Sequence, residues 1–282
     1  VIPFNKCKIQ TELSQKIAKY VCDNWKSSIY DESKNKGCLR NIMIREAFKT
    51  NEVMLVLVEN NYLNDALDIE KLIQKFPMIK TVVVNINNQI TNVVLTNENI
   101  VLYGDGYITD ILKDKKFKIS PNSFYQVNPV QTVKIYDLAI EKANLNKNDI
   151  LCDLYCGIGT IGIFSSDKVK KVYGIEIVEQ AVENAKENAK INNIKNIEFI
   201  NGDVEYAFDE LLKKNIKPNA VIVDPPRKGL DKKTIQNLKE LKLEKIIYVS
   251  CSPETLVRDL KELSEVYQIK EITPIDNFPY TS

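Results

Sequence analysis

An α/β chain is what these residues predict: a parallel sheet covered on both faces by helices, preceded by a smaller α+β region. Three observations carry that expectation. Apolar runs end at Leu154, Ile175, Ile200, Val223 and Val249, and helical patterns lie between them over 178–191, 204–212, 232–241 and 255–266. Strand–helix alternation of this kind belongs to parallel sheets. A glycine-rich string follows the first of those runs, and the texture of the chain changes near 118–121. The expected domains are therefore 1–118 and 119–282.

In the first region, residues 11–25 read as a helix with Leu13, Ile17, Tyr20 and Val21 on one face and Thr11 as N-cap. The stretches 39–45 and 53–59 are apolar and β-rich and read as a strand pair. Residues 65–76 read as a second helix, and 81–86, 92–96 and 100–103 as further strands, with Gly104-Asp105-Gly106 as a turn. The expected sheet is antiparallel. In the second region Asn128 and Pro129 open a helix to about Ala143, Asn suiting the cap and Pro the first helical position.

The 282 residues fit one large domain or two ordinary ones. With 44% hydrophobic and 27% charged residues, a sizeable core is possible and wholesale disorder is not expected. The net charge is only +1, so overall charge does not locate a polyanion-binding face. There is no histidine, which excludes a His base, a His-containing zinc site and Ser-His-Asp chemistry within these residues. Six scattered cysteines form no CxxC pair and read as thiols of a reducing compartment, so a cytoplasmic location is expected. No apolar run approaches the roughly 18–20 residues of a membrane span. The chain begins with Val rather than Met and reads as a fragment.

Ligands of doubly wound folds bind at the carboxyl ends of the strands. The first such end carries Asp153-Leu-Tyr-Cys-Gly157-Ile-Gly159-Thr-Ile-Gly162. Its glycines permit a tight turn and close approach of a ligand at a helix start. Glu176 ends the second strand, where a carboxylate can accept hydrogen bonds from both ribose hydroxyls. Asp203 ends the third, within reach of an adenine amino group. A glycine string in this setting points to a nucleoside cofactor. Asp153 would repel a dinucleotide's pyrophosphate and suit a cationic sulfonium and amino group, which favours S-adenosylmethionine.

The fourth strand ends in Asp224-Pro-Pro-Arg227-Lys-Gly229, where two prolines stiffen the exit and aim Asp224 into the cleft. The fifth leads to Ser250-Cys251-Ser252-Pro253, placing Cys251 beside a helix N-terminus that stabilises a thiolate. Cys22 and Cys152 read instead as buried small hydrophobes. A thiolate near a methyl donor suggests pyrimidine chemistry: addition to carbon 6 makes carbon 5 nucleophilic toward a sulfonium methyl. The target base must be single-stranded or flipped out.

These residues resemble the RNA uracil-5-methyltransferases, especially the bacterial 23S ribosomal RNA branch. Four strings carry the resemblance: Ser123-Phe-Tyr-Gln126-Val-Asn128, the Asp153–Thr160 string, Asp224-Pro-Pro-Arg227-Lys-Gly, and Val249-Ser-Cys251-Ser-Pro-Glu-Thr-Leu-Val-Arg258-Asp. Gly37-Cys-Leu-Arg40-Asn-Ile-Met-Ile-Arg45 looks like the family's central domain. The resemblance implies a Rossmann-like class I S-adenosylmethionine-dependent methyltransferase domain behind that central domain. It implies Cys251 as nucleophile, with Gln126, Tyr155, Gly157, Glu176, Asp203 and Asp224 at the cofactor site. Asn128, Arg227 and Arg258 would be capping or supporting residues.

The implied substrate is a uridine of 23S ribosomal RNA. Transfer RNA modification, or a non-catalytic S-adenosylmethionine- or RNA-binding module, are the alternatives. Cytosine-5-methyltransferases usually carry Pro-Cys where this chain has Asp-Pro-Pro. Cys7 resembles the fourth cysteine of a 4Fe-4S site of some members, whose other three ligands would lie upstream. The family usually begins with an RNA-binding β-barrel and ends in a His-x-Glu element supplying the general base. Neither matches residues 1–282, so product release is expected to be impaired in a chain of this extent. Arg40, Arg45 and the lysines of 113–118 are candidate RNA contacts, with a solvated charged face the favoured reading of each.

Overall fold

Thr11 begins the first helix as its sequence suggests: its hydroxyl accepts the Ser14 N–H at 3.0 Å, opening α1 over Glu12–Asn24. Ile17 and Val21, one turn apart, are fully buried. The structure is a computed structural model that describes residues 7–63, 65–126 and 128–277. The chain divides into two compact units between Asn122 and Ser123.

In the first unit, β1 (Leu39–Ala47) and β2 (Glu52–Glu59) pair antiparallel. After β2 the chain forms α2 (Ile69–Lys75), capped by Asp68. It returns as β3 (Ile79–Ile86), which pairs parallel with β2. β4 (Asn99–Tyr103) then pairs antiparallel with β3. The expected antiparallel sheet is therefore mixed. The helix read at 65–76 is the reason, because a helical crossover returns the chain to the end where the preceding strand began. One face of the sheet packs Leu55, Leu57, Val82 and Val84 against Ile17, Val21, Leu72 and Phe76.

Residues 92–96 are not a strand. Side-chain amides occupy this backbone: Asn87 Nδ2 donates to the carbonyls of Val93 and Val94, and Asn85 Nδ2 to that of Thr96. The lysine-rich stretch instead belongs to a hairpin, β5 (Ile108–Leu112) and β6 (Lys115–Ile119). Its alternation buries Ile108, Asp110, Leu112, Phe117 and Ile119. Buried Asp110 accepts the N–H groups of Phe48 and Lys49 in the β1–β2 turn.

Two of the candidate RNA contacts turn inward. The Arg40 guanidinium lies 4.4 Å from the Tyr30 ring centroid and donates to the carbonyls of Asn87 and Gln89. Arg45 donates to the Pro121 carbonyl at 3.1 Å, and burial lowers its pKa to about 10. The solvated-face reading is thus corrected for both, since each side chain is used to tie backbone segments together. Cys22 is likewise corrected: it is exposed on α1, whereas Cys152 is buried as expected.

The second unit opens with α3 (Pro129–Lys142), capped by Asn128. It continues as β7 (Ile150–Leu154), α4 (Thr160–Ser165), β8 (Lys171–Glu176), α5 (Glu179–Ile191), β9 (Ile197–Asn201) and α6 (Val204–Lys213). Then follow β10 (Ala220–Val223), α7 (Lys232–Leu241), β11 (Lys245–Tyr248) and α8 (Pro253–Leu263). The strands lie in the order β11-β10-β7-β8-β9, all parallel. Strand order reverses beside β7, which makes the gap between β7 and β10 the topological switch point. Cys152, Leu154, Tyr173, Ile175, Val221 and Val223 pack one core with Phe208, Leu211, Ile235 and Leu238 from the helices. Among the described residues no helix is long and apolar enough to cross a membrane.

Candidate active site

Sheet register assembles the site. Tyr248 pairs with Val223, Val223 with Leu154, Leu154 with Ile175, and Ile175 with Ile200. The residues that follow this row therefore leave the sheet along one carboxyl edge. They include Tyr155, Glu176 and Asp224, with Cys251 in the turn after β11. Adjacent strands lie about 4.8 Å apart, so Asp224 stands one strand from both Tyr155 and the Cys251 turn.

The glycine loop is held from two sides. Glu176 accepts the Gly157 N–H at 3.1 Å with one carboxylate oxygen and the Val178 N–H at 2.9 Å with the other. Each oxygen keeps a second lone pair for a ligand hydroxyl. From α5, fully buried Asn188 donates to the Ile158 carbonyl at 3.2 Å. Gly159 adopts φ 83°, and a Cβ there would come within 2.8 Å of the Phe199 ring, so both conformation and space demand glycine. At Gly157, φ is 54° and an added Cβ would meet nothing within 4 Å, which leaves this side of the loop open. Two residues before Gly157, Tyr155 has φ 61°, an uncommon conformation for an aromatic residue, and its hydroxyl hydrogen-bonds Thr234 in α7.

Three carboxylates lie near enough here for Asp224 and Glu176 to act on Asp153. Asp153 is fully buried: one oxygen accepts the Gly162 N–H at 2.8 Å, and the other has no hydrogen-bond partner. Burial, with Asp224 and Glu176 nearby, pushes its pKa up to about 8. Burial raises Asp224 to about 6. An orphaned buried oxygen beside two more acids, at a loop open above Gly157, fits a cationic ligand and opposes a pyrophosphate. The donor set thus agrees with S-adenosylmethionine rather than a dinucleotide.

Tyr136, which the sequence reading did not single out, completes this side. It lies on α3 one turn after Thr132 and one before Ile140, a face buried as a unit. Its hydroxyl hydrogen-bonds Gln126, and burial, with Asp224 and Asp153 close by, raises its pKa. The 3.6-residue period following Asn128-Pro129 was the available signal. Asp203 accepts the Tyr206 N–H at 2.8 Å as the N-cap of α6, after β9 has already ended at Asn201.

On the other side Cys251 is exposed. The Ser250 hydroxyl brackets it, donating to the Ser252 carbonyl at 3.0 Å and accepting the Ser252 N–H at 3.1 Å. Pro253 then starts α8. Of the three expected supporting residues, Asn128 caps α3 and donates to the Asn277 carbonyl, Arg258 binds the loop after Asp224, and Arg227 is exposed, contributing its main-chain carbonyl to Thr255. Cys7 is tied at its backbone to the Gln15 side chain. Among the described residues no group of three or more Cys, Asp or Glu is placed to hold a metal ion. Residues 278–282 lie outside the described residues.

A parallel sheet with its glycine loop at the first strand, acids at the following strand ends and the switch point beside β7 defines a Rossmann-like class I methyltransferase fold. The crystal structure of the M. jannaschii tRNA m1G37 methyltransferase shares this fold at 16% identity and TM-score 0.51, covering 92% of this chain and 72% of that one. Residues 49–282 match the family described as tRNA (uracil-5-)-methyltransferase, and the chain belongs to that family. It is 44% identical over 290 residues to an uncharacterized RNA methyltransferase of Caldanaerobacter subterraneus, covering 100% of this chain and 64% of the relative. It is 44% identical over 287 residues to another from Clostridium tetani, covering 100% of this chain and 62% of that protein. The chain thus spans less than two thirds of these relatives' length. The structure of the Pyrococcus abyssi tRNA (uracil-54, C5)-methyltransferase with S-adenosyl-L-homocysteine superposes with TM-score 0.77 at 29% identity, covering 100% of this chain and 68% of that one.

Proposed function

We propose that the protein methylates carbon 5 of a uridine in RNA, using S-adenosylmethionine and a covalent bond from Cys251 to carbon 6. The observation that carries this reading is the shared strand edge, with three acids around the glycine loop after β7 and an exposed thiol in the turn after β11, two strands away. Gln126, Tyr155, Gly157, Glu176, Asp203 and Asp224 would hold the methyl donor. When bound, S-adenosylmethionine supplies the electrophilic methyl that carbon 5 takes up, leaving S-adenosylhomocysteine.

Cys251 acts first as thiolate, its sulfur forming a bond to carbon 6 of the uracil. The carbon 5–carbon 6 π electrons then move toward the carbon 4 carbonyl, which makes carbon 5 nucleophilic. After methylation a general base takes the carbon 5 proton. The electrons of that C–H bond re-form the double bond and expel the thiolate. Asp224, its pKa raised to about 6 by burial, lies on the donor's side of the cleft near Tyr136.

The motif strings favour 23S ribosomal RNA as substrate. The Pyrococcus relative supports transfer RNA as the second reading. The full-length protein should transfer labelled methyl to uracil carbon 5 in one of the two transcripts, and Cys251→Ala should abolish it. Methylation at another atom, or activity that survives Cys251→Ala, overturns the reading. Cofactor binding with no trapped adduct on 5-fluorouridine RNA would favour a binding module instead.

A further inference from the structure

The loop that leaves β10 does not stand alone. Three side chains from the start of α8, at positions 255, 258 and 259, lie on one helix face and bind its backbone. Thr255 Oγ1 donates to the Arg227 carbonyl at 3.1 Å. Arg258 Nη2 donates to the carbonyls of Lys228 at 2.8 Å and Leu230 at 3.1 Å. Asp259, fully buried, accepts the Leu230 N–H at 2.8 Å and the Tyr248 hydroxyl at 2.7 Å on one oxygen. Its other oxygen takes Arg258 Nε at 2.9 Å and Nη2 at 2.7 Å.

Gly229 shows how close the contact is. Its φ is 74°, and a Cβ there would fall 2.5 Å from Asp259 Oδ2 and 2.7 Å from Arg258 Nη2. The same helix begins two residues after Cys251, and the same loop begins at Asp224. A buried carboxylate with four donors is an expensive way to pack a loop. It is an effective way to hold a backbone in one place, because every bond ends on main-chain atoms, on Tyr248 at the end of β11, or on the arginine itself.

We propose that Arg258 and Asp259 are a positioning pair that locks the Asp224–Gly229 loop to the helix beginning beside Cys251, and so sets the thiol relative to the methyl donor's side of the cleft. The inference rests on the reading of Cys251 as nucleophile.

The test uses the full-length protein and RNA carrying 5-fluorouridine. Asp259→Asn and Arg258→Lys are compared with wild type for the single-turnover rate of adduct formation, S-adenosylmethionine affinity by calorimetry, and melting temperature. A displaced thiol should slow adduct formation by about 10²-fold. Cofactor affinity should fall by less than the adduct rate, since Asp224 opens the locked loop but the glycine loop and Glu176 do not touch the pair. Alkylation of Cys251 by iodoacetamide should keep its wild-type pH profile, because the thiol is moved rather than deactivated.

An unchanged adduct rate in Arg258→Lys overturns the proposal. So does a loss of rate matched by an equal loss of cofactor affinity, which marks a purely structural role. If Asp259→Asn fails to fold, the half-exposed Arg258 still decides the question through Arg258→Lys. Absence of any adduct in wild type would instead overturn the nucleophile assignment itself.

Discussion

Asp153 carries more of the site's chemistry than its place before the glycine loop suggests. Its carboxyl holds a proton more tightly in the fold than in the unfolded chain, with its pKa rising from 3.8 to about 8. Its contribution to stability therefore falls as pH rises through that interval. Asp153→Asn should flatten the change in melting temperature between about pH 5 and about pH 8, as read by thermal denaturation without ligand. Cofactor affinity should show the opposite trend. Cationic S-adenosylmethionine favours the ionised carboxylate, so its binding should strengthen over the same pH range in calorimetric titrations. S-adenosylhomocysteine lacks the sulfonium and should gain less. At Gly159, alanine would meet Phe199 and a left-handed backbone together. Gly159→Ala should cost about 1–3 kcal/mol in urea denaturation and weaken cofactor binding.

Helices and strands here owe their positions to local signals, yet several owe their role to side chains on a neighbouring element. α5 is read easily from its period, but its buried Asn184 and Asn188 hydrogen-bond the Ser123 hydroxyl and the Ile158 carbonyl. Removing the second donor leaves a buried carbonyl short of a partner. Asn188→Ala should therefore destabilise the protein by about 1–3 kcal/mol and loosen cofactor binding in the same titration. α1 offers a second element-level check: the Thr11 hydroxyl caps the helix and also donates to Glu46 in β1, so Thr11→Ala should cost about 1–2 kcal/mol without changing activity. The β5–β6 hairpin went unread because its lysines dominate the composition of 113–118. Its buried alternation through Phe117 and Ile119 becomes visible only against the face it covers.

Taken as one molecule, the chain places the proposed cofactor residues and Cys251 within a single compact unit, Ser123–Asn277. That span should bind S-adenosylmethionine with an affinity within a few-fold of the full-length protein, since a unit with its own core can hold its own site. RNA affinity is a different quantity, because a net charge of +1 offers little general attraction to phosphate. Short-range chemistry was enough to settle the alternation of β7 through α8, the caps at Thr11 and Asn128, the glycine loop, and the placing of Glu176, Asp224 and Cys251 at strand ends. Periods, caps and turns act over a few residues, so they can be read along the chain. Tertiary structure alone decided that β3 runs parallel to β2 and that Arg40 and Arg45 turn inward. It also brought Tyr136 to Gln126 and closed Thr255, Arg258 and Asp259 on the loop after Asp224. Each of these depends on which distant segments the folded core brings together, and no local pattern encodes that choice.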